Sequence, residues 1–199
     1  MAMVSSAQLR SHVAYPGEWS LPQVAGRFAE ISGSNSTAAL TLACGLVLDA
    51  QKRGEPVGWT TSTESSFYPP DAAQFGIDLS ALVVVRVPKA DAIARAGEKL
   101  LRSGGFGLVV LDLGRADIPT PLQSRLTGIA QHHHSTLICL TEKDSKAFSL
   151  GSLVSLRVHA ERKRVDKNQF ACGLRVLKDK RRGPTWTYEE LRNGPPGLC

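Results

Sequence analysis

The stretch Gly26–Leu46, GRFAEISGSNSTAALTLACGL, decides the fold. Arg27–Ser32 alternates as a strand does, and Gly33–Thr37 is a turn of small residues. Ala38–Lys52 then runs as a buried helix that Gly54 stops. The same alternation continues along the chain. Pro56–Thr61 reads as a strand, Pro69–Phe75 as a short helix, and Leu82–Val87 as an apolar β-branched strand of the kind buried in a parallel sheet. Ala90–Arg102 is helical, Gly107–Leu113 (GLVVLDL) is the most strand-like segment, Leu122–Gln131 is helical, and Thr136–Leu140 is another buried strand. Short apolar strands alternating with helices imply βαβ units on a mostly parallel sheet. After about Leu150 the pattern changes. Leu153–Ala160 and Gln169–Lys178 read as antiparallel strands joined by a polar loop, ERKRVDKN, completing a mixed sheet flanked by helices.

Composition bounds the rest. The 199 residues carry 42% hydrophobic and 21% charged side chains, which suits one folded α/β domain and excludes wholesale disorder. Residues 1–25 read as an N-terminal arm with a helical turn near Ser6–Val13, residues 26–188 as the domain, and 189–199 as a flexible tail. The four cysteines are far apart with no CxxC pair, so neither a zinc site nor a disulfide framework is expected. No apolar run approaches the roughly 18 residues of a membrane span, and the first residues lack the apolar core of a secretory signal. A cytoplasmic protein without membrane contact is therefore expected.

The turn at Gly33 can be compared with a phosphate-binding loop, which reads G-x-x-x-x-G-K-[ST]. In that pattern backbone N–H groups hold phosphate, the lysine neutralises it and the hydroxyl ligates magnesium. Gly33 matches the first position, but Ala38 replaces the second glycine, Ala39 the lysine and Leu40 the hydroxyl residue. A charge-assisted hydrogen bond contributes about 1.5–3 kcal/mol, so losing the lysine alone weakens phosphate binding about 10- to 150-fold. Asp112 closes GLVVLDL where a Walker B aspartate would stand, without its hydroxyl partner. Nucleotide hydrolysis, a bound cofactor and a catalytic residue are not expected. His132–His134 reads as a helix terminus rather than a metal site, because consecutive helical residues point about 100° apart.

The net charge of +6 is concentrated. Between Arg157 and Arg182 ten Lys/Arg face three acids, a net +7, which leaves the remainder at −1. Arg162, Lys163, Arg164, Lys178, Lys180, Arg181 and Arg182 are the candidate partner-binding residues, suited to an acidic protein face first and a DNA backbone second. A solvated strand pair is the alternative, since no aromatic residues interleave to stack on bases.

On these residues the chain resembles the RecA recombinases. GRFAEISGSNSTAALTLACGL looks like their first core strand and phosphate-loop helix, GFGLVVLDL like their Walker B strand, and STLICLTEK like the strand ending in an ATP-sensing glutamine, here Glu142. GLRVLKDKRRGP is similar to the strand whose two lysines, here Lys178 and Lys180, reach across the filament interface. Glu64 lies near the position of the family's catalytic glutamate and reads as a loop residue. The first RecA DNA loop has no room here, and only KDSKAFSLG occupies the place of the second. A RecA-like core without phosphate loop or DNA loops resembles the ImuA family of accessory proteins in damage-induced mutagenesis. That resemblance implies a non-enzymatic adaptor of translesion synthesis. Its partners would be RecA, the ImuB polymerase-like protein and a DnaE-type polymerase, with DNA contacted only weakly or indirectly. A SulA-like inhibitor of cell division that binds FtsZ, or a weakly DNA-binding RecA paralogue, is the alternative.

Overall fold

A computed structural model describes residues 15–34, 37–65 and 67–194. The helical turn expected near Ser6–Val13 lies outside these residues. In chain order the elements are β1 (Tyr15–Pro16), α1 (Leu21–Val24), β2 (Phe28–Ser32), α2 (Ala39–Lys52), β3 (Val57–Ser62), α3 (Pro69–Gln74), β4 (Leu82–Val87), α4 (Ile93–Arg102), β5 (Leu108–Gly114), α5 (Thr120–His132), β6 (Thr136–Thr141), β7 (Leu156–Asp166), β8 (Gln169–Asp179) and β9 (Trp186–Asn193). Among the described residues the strands form one sheet in the order β1-β9-β8-β7-β2-β6-β5-β3-β4. Strands β2 to β7 pair in parallel wherever they meet, whereas β8 runs antiparallel to both β7 and β9. The expected mixed, mostly parallel sheet with antiparallel strands near its C-terminal end is therefore the architecture of the chain.

The period-two pattern of the central strands sends alternate side chains into two cores, one on each face. Ala29 and Ile31 of β2, Leu108 and Val110 of β5, and Ile138 and Leu140 of β6 pack with Leu42, Leu46 and Val47 of α2. Phe28, Val109, Leu111, Leu137 and Cys139 point the other way, against Ile93 and Leu101 of α4 and Leu122 and Leu126 of α5. Gly97 of α4 lets that helix approach the sheet, because a Cβ there would run into the Leu111 side chain. The helix α5 ends inside the histidine run, with His134 at φ +55°. Among the described residues no helix is long and apolar enough to cross a membrane.

Four expectations need correction. Leu82–Val87 is an edge strand paired only with β3, and Val83 is half exposed, so its apolar run is not buried on both sides. The segment ERKRVDKN is a loop only at its end. Glu161–Asp166 continue β7, where the strand has run past its pairing with β2 and become the exposed edge of β7, β8 and β9, which can carry charge on both faces. Part of the N-terminal arm belongs to the domain: Trp19, Leu21 and Val24 are buried, the Trp19 indole N–H donates to the Leu42 carbonyl at 3.0 Å, and the Leu21 N–H donates to Asp49 at 2.7 Å. The tail expected from residue 189 is, as far as Asn193, the second half of β9.

Candidate functional site

The sheet topology collects the candidate residues at the C-terminal ends of β2, β5 and β6, where open α/β sheets place their ligands. The turn after β2 is tied into the sheet from its start, as the Gly33 N–H donates to the Thr141 carbonyl at 3.0 Å. A Cβ at Gly33 would meet the Thr37 side chain, so this position needs glycine for close approach. Helix α2 begins after Ala38, which is fully buried and has no capping side chain, and the Thr37 hydroxyl accepts the Ala39 N–H at 3.4 Å. Ala39 and Leu40 are half-buried and pack against the core under α2. The two side chains in the positions of a lysine and a magnesium-ligating hydroxyl are thus apolar and turned to packing.

Asp112 sits at the end of β5 as expected. Its carboxylate accepts hydrogen bonds from the Thr61 hydroxyl at 2.9 Å and from the Ser65 hydroxyl. Ser65 Oγ in turn accepts from the Phe67 N–H at 3.0 Å. These bonds use Asp112 to close the β3–α3 loop. Glu64 is exposed in that loop, beside rather than within the network. Glu142 follows β6 and pairs on the surface with Arg115 at 3.0 Å.

The basic residues do not form one patch. Arg157 of β7 lies opposite Lys178 of β8, and Arg164 opposite Phe170. Seven residues of strand separate the two levels, about 23 Å at ~3.3 Å per residue. Arg162, Lys163 and Arg164 are exposed near the free end of the hairpin, where the Arg162 guanidinium lies 5.3 Å from the Phe170 ring centroid. Arg162 and Lys163 also flank a shallow cavity of about 280 Å³ whose other wall is Ser34 and Thr37, so they border the turn after β2. Lys178, Lys180, Arg181 and Arg182 stand at the opposite end. Lys180 Nζ donates to the Ser152 carbonyl at 2.6 Å, and Lys178 Nζ donates to the Gly151 carbonyl at 3.3 Å. Burial and the neighbouring Lys180 charge both pull the Lys178 ammonium below its ordinary pKa. Arg181 reaches the Ala25 carbonyl at 3.3 Å, and Arg182 lies 5.8 Å from the Trp186 ring centroid.

Four buried charges that the sequence reading passed over hold this end together. Arg27 pairs with Asp179 at 2.6 Å, both side chains being almost fully buried, and Nη2 of Arg27 also donates to the Ser155 carbonyl at 2.7 Å. Asp179 further accepts the Trp186 indole N–H at 3.1 Å and the Arg181 N–H at 2.8 Å. Burial pushes the Asp179 carboxyl up, but the Arg27 hydrogen bond, those N–H donors and the Arg27 charge together hold it below the usual carboxylate range. On the neighbouring strands Glu30 is buried within 3.7 Å of Arg157. Glu30 accepts from the Thr141 hydroxyl and the Leu150 N–H, each at 3.0 Å, while Arg157 donates to the carbonyls of Asp144 and Ala147. A glutamate at the centre of the buried FAEIS strand was the available signal, since an unpaired charge cannot stay there.

Comparison with known proteins agrees with this geometry. The model of the RecA N-terminal domain matches residues 3–137. RecA of Chlorobium limicola is 34% identical over 103 residues, which is 52% of this chain and 28% of that protein. RecA of Chlorobaculum tepidum is 33% identical over 103 residues, 52% of this chain and 29% of that protein. RecA of Bifidobacterium longum is 31% identical over 94 residues, 47% of this chain and 23% of that protein. The matches span less than a third of the length of these curated relatives.

Proposed function

Given that the chain belongs to the RecA N-terminal domain family, we propose that it is a non-enzymatic member of that family, an accessory protein of DNA-damage-induced mutagenesis. In this reading it binds RecA, the ImuB polymerase-like protein, or both, through surfaces of the RecA type. A DnaE-type polymerase then joins the same assembly, and DNA is met only weakly or through these partners. The observation that carries the reading is the packing of Ala39 and Leu40 against the core. With these side chains the first two positions of α2 supply neither the ammonium that neutralises a triphosphate nor the hydroxyl that ligates its magnesium ion, the two parts on which phosphoryl transfer depends in the phosphate-loop pattern. Asp112 is occupied by Thr61 and Ser65, which fits a structural use of the old aspartate.

The test has two arms. Calorimetry with magnesium–ATP is expected to give no binding at micromolar nucleotide, and micromolar affinity would overturn the non-enzymatic reading. Pull-down of purified RecA and ImuB is expected to succeed with the wild type. Replacing Lys178, Lys180, Arg181 and Arg182 with Glu should weaken it, more so at low salt. Unchanged capture would remove these residues from the interface.

A further inference from the structure

Phe148 is the most exposed large apolar side chain among the described residues, at 93% of its full accessible surface. The backbone that carries it is not loose. Arg157 donates to the carbonyls of Asp144 and Ala147 on one side of it. Buried Glu30 accepts the Leu150 N–H on the other, and Gln123 Nε2 donates to the Leu150 carbonyl at 2.8 Å. Leu150 itself is buried in the core under α5. Within the loop the Ala147 N–H closes a turn on the Asp144 carbonyl at 3.1 Å. Two clamps of buried polar groups therefore hold the residues on either side of Phe148 and leave its ring in solvent. An apolar ring displayed on a fixed backbone loses little conformational freedom when a partner covers it.

The surroundings say what kind of partner that is. Lys146 is exposed on the same loop, and Lys178 and Lys180 reach the loop from β8 through the carbonyls of Gly151 and Ser152. We infer that Phe148, on the loop that carries Lys146 and is reached by Lys178 and Lys180, is the anchor of a protein-binding surface, and that its occupant is a protein with an apolar pocket bordered by carboxylates. This inference rests on the adaptor reading above and deepens it by naming the side chain at the centre of the contact. A nucleic-acid strand fits the surroundings less well. One ring gives no succession of stacking platforms.

Binding of purified RecA and ImuB to wild type, Phe148→Ala, Phe148→Leu and Lys146→Glu, measured at 0.15 M and 1 M salt, tests the inference. A central anchor is expected to cost about 30-fold or more in affinity on truncation to alanine. Phe148→Leu should keep most of the binding, and the Phe148→Ala loss should persist at 1 M salt. The Lys146→Glu loss should be smaller and fade there, since the Debye length shrinks to about 3 Å. Thermal melting of Phe148→Ala should match wild type, because the ring packs on nothing. Wild-type affinity in Phe148→Ala would overturn the inference while leaving the adaptor reading in place. Binding of neither partner by the wild type would overturn both. Loss of oligo-dT binding with protein binding intact would assign Phe148 to nucleic acid and overturn the inference as well.

Discussion

Replacing Asp179 with Asn is a demanding test of how this domain is held together. Asp179 is the acceptor on which Arg27 of the segment before β2, Trp186 of β9 and the turn carrying Arg181 converge. The amide keeps the shape but removes the charge, leaving the Arg27 guanidinium, with 2% of its side chain exposed, without its counter-ion. Two hydrogen bonds from the guanidinium to Ser155, at 2.7 and 3.3 Å, survive, but their acceptors are neutral and do not offset its charge. Breaking a buried pair from one side costs about 3–5 kcal/mol, well above the roughly 1 kcal/mol of an ordinary hydrogen bond. At about 2–4 °C per kcal/mol for a chain of this size, the melting temperature should fall by about 6–20 °C. Thermal unfolding followed by circular dichroism reads this directly. The double variant Arg27→Met/Asp179→Leu removes both charges and should recover most of the loss. A fall below about 3 °C in Asp179→Asn, or a double variant less stable than the single one, would refute the reasoning.

The same pair predicts a pH dependence. The Asp179 carboxyl is held below its ordinary value in the folded protein, so the unfolded chain takes up the proton first. The stabilisation is therefore present above the unfolded carboxylate value of about 3.9 and is lost as pH falls through the lower folded value. Urea midpoints should drop more steeply from pH 5 to 3 in wild type than in Arg27→Met/Asp179→Leu, and parallel curves would contradict the assignment. Gly97→Val should cost about 1–3 kcal/mol, because its side chain enters the space of fully buried Leu111. The check is a lower urea midpoint at unchanged slope, and an equal or higher midpoint would show that the α4–β5 contact yields freely.

Much of the parallel half was legible because its strands and helices have different periods. GLVVLDL reads as a strand throughout, RFAEIS alternates as a strand does, and the apolar run after Gly33 is long enough to be helix α2. What failed was information that local pattern does not hold. LVVVRV reads like a central strand, but its place at the edge follows from the connections between strands, not from its own residues. ERKRVD reads like a loop because this end of β7 is an exposed edge whose side chains are wet in both directions, which erases the alternation that marks a strand. The buried charges were hidden by distance, since Arg27 and Asp179 meet across 152 residues. Phe148 inverts the usual rule, as an apolar residue in a polar loop is expected to turn inward.

The separation of the basic residues changes what their charge means. Read along the chain, Arg157–Arg182 is one block of net +7. Folded, it is two clusters at the ends of a hairpin, about 23 Å apart by strand rise, against a Debye length of about 8 Å at physiological salt. The clusters therefore act on a partner independently. Arg162, Lys163 and Arg164 lie near the tip of the β7–β8 hairpin, beside the turn after β2, with exposed Val165 and Leu191 at the same level. Lys178 and Lys180 instead lie against a loop that the buried Glu30–Arg157 pair holds on both sides of an exposed ring. Charge alone steers an encounter, whereas lasting affinity needs apolar area covered on a fixed frame. In the proposed adaptor reading the second cluster, whose apolar ring stands on a fixed frame, is the side expected to hold the partner, with the charges of the hairpin tip adding to the rate of encounter.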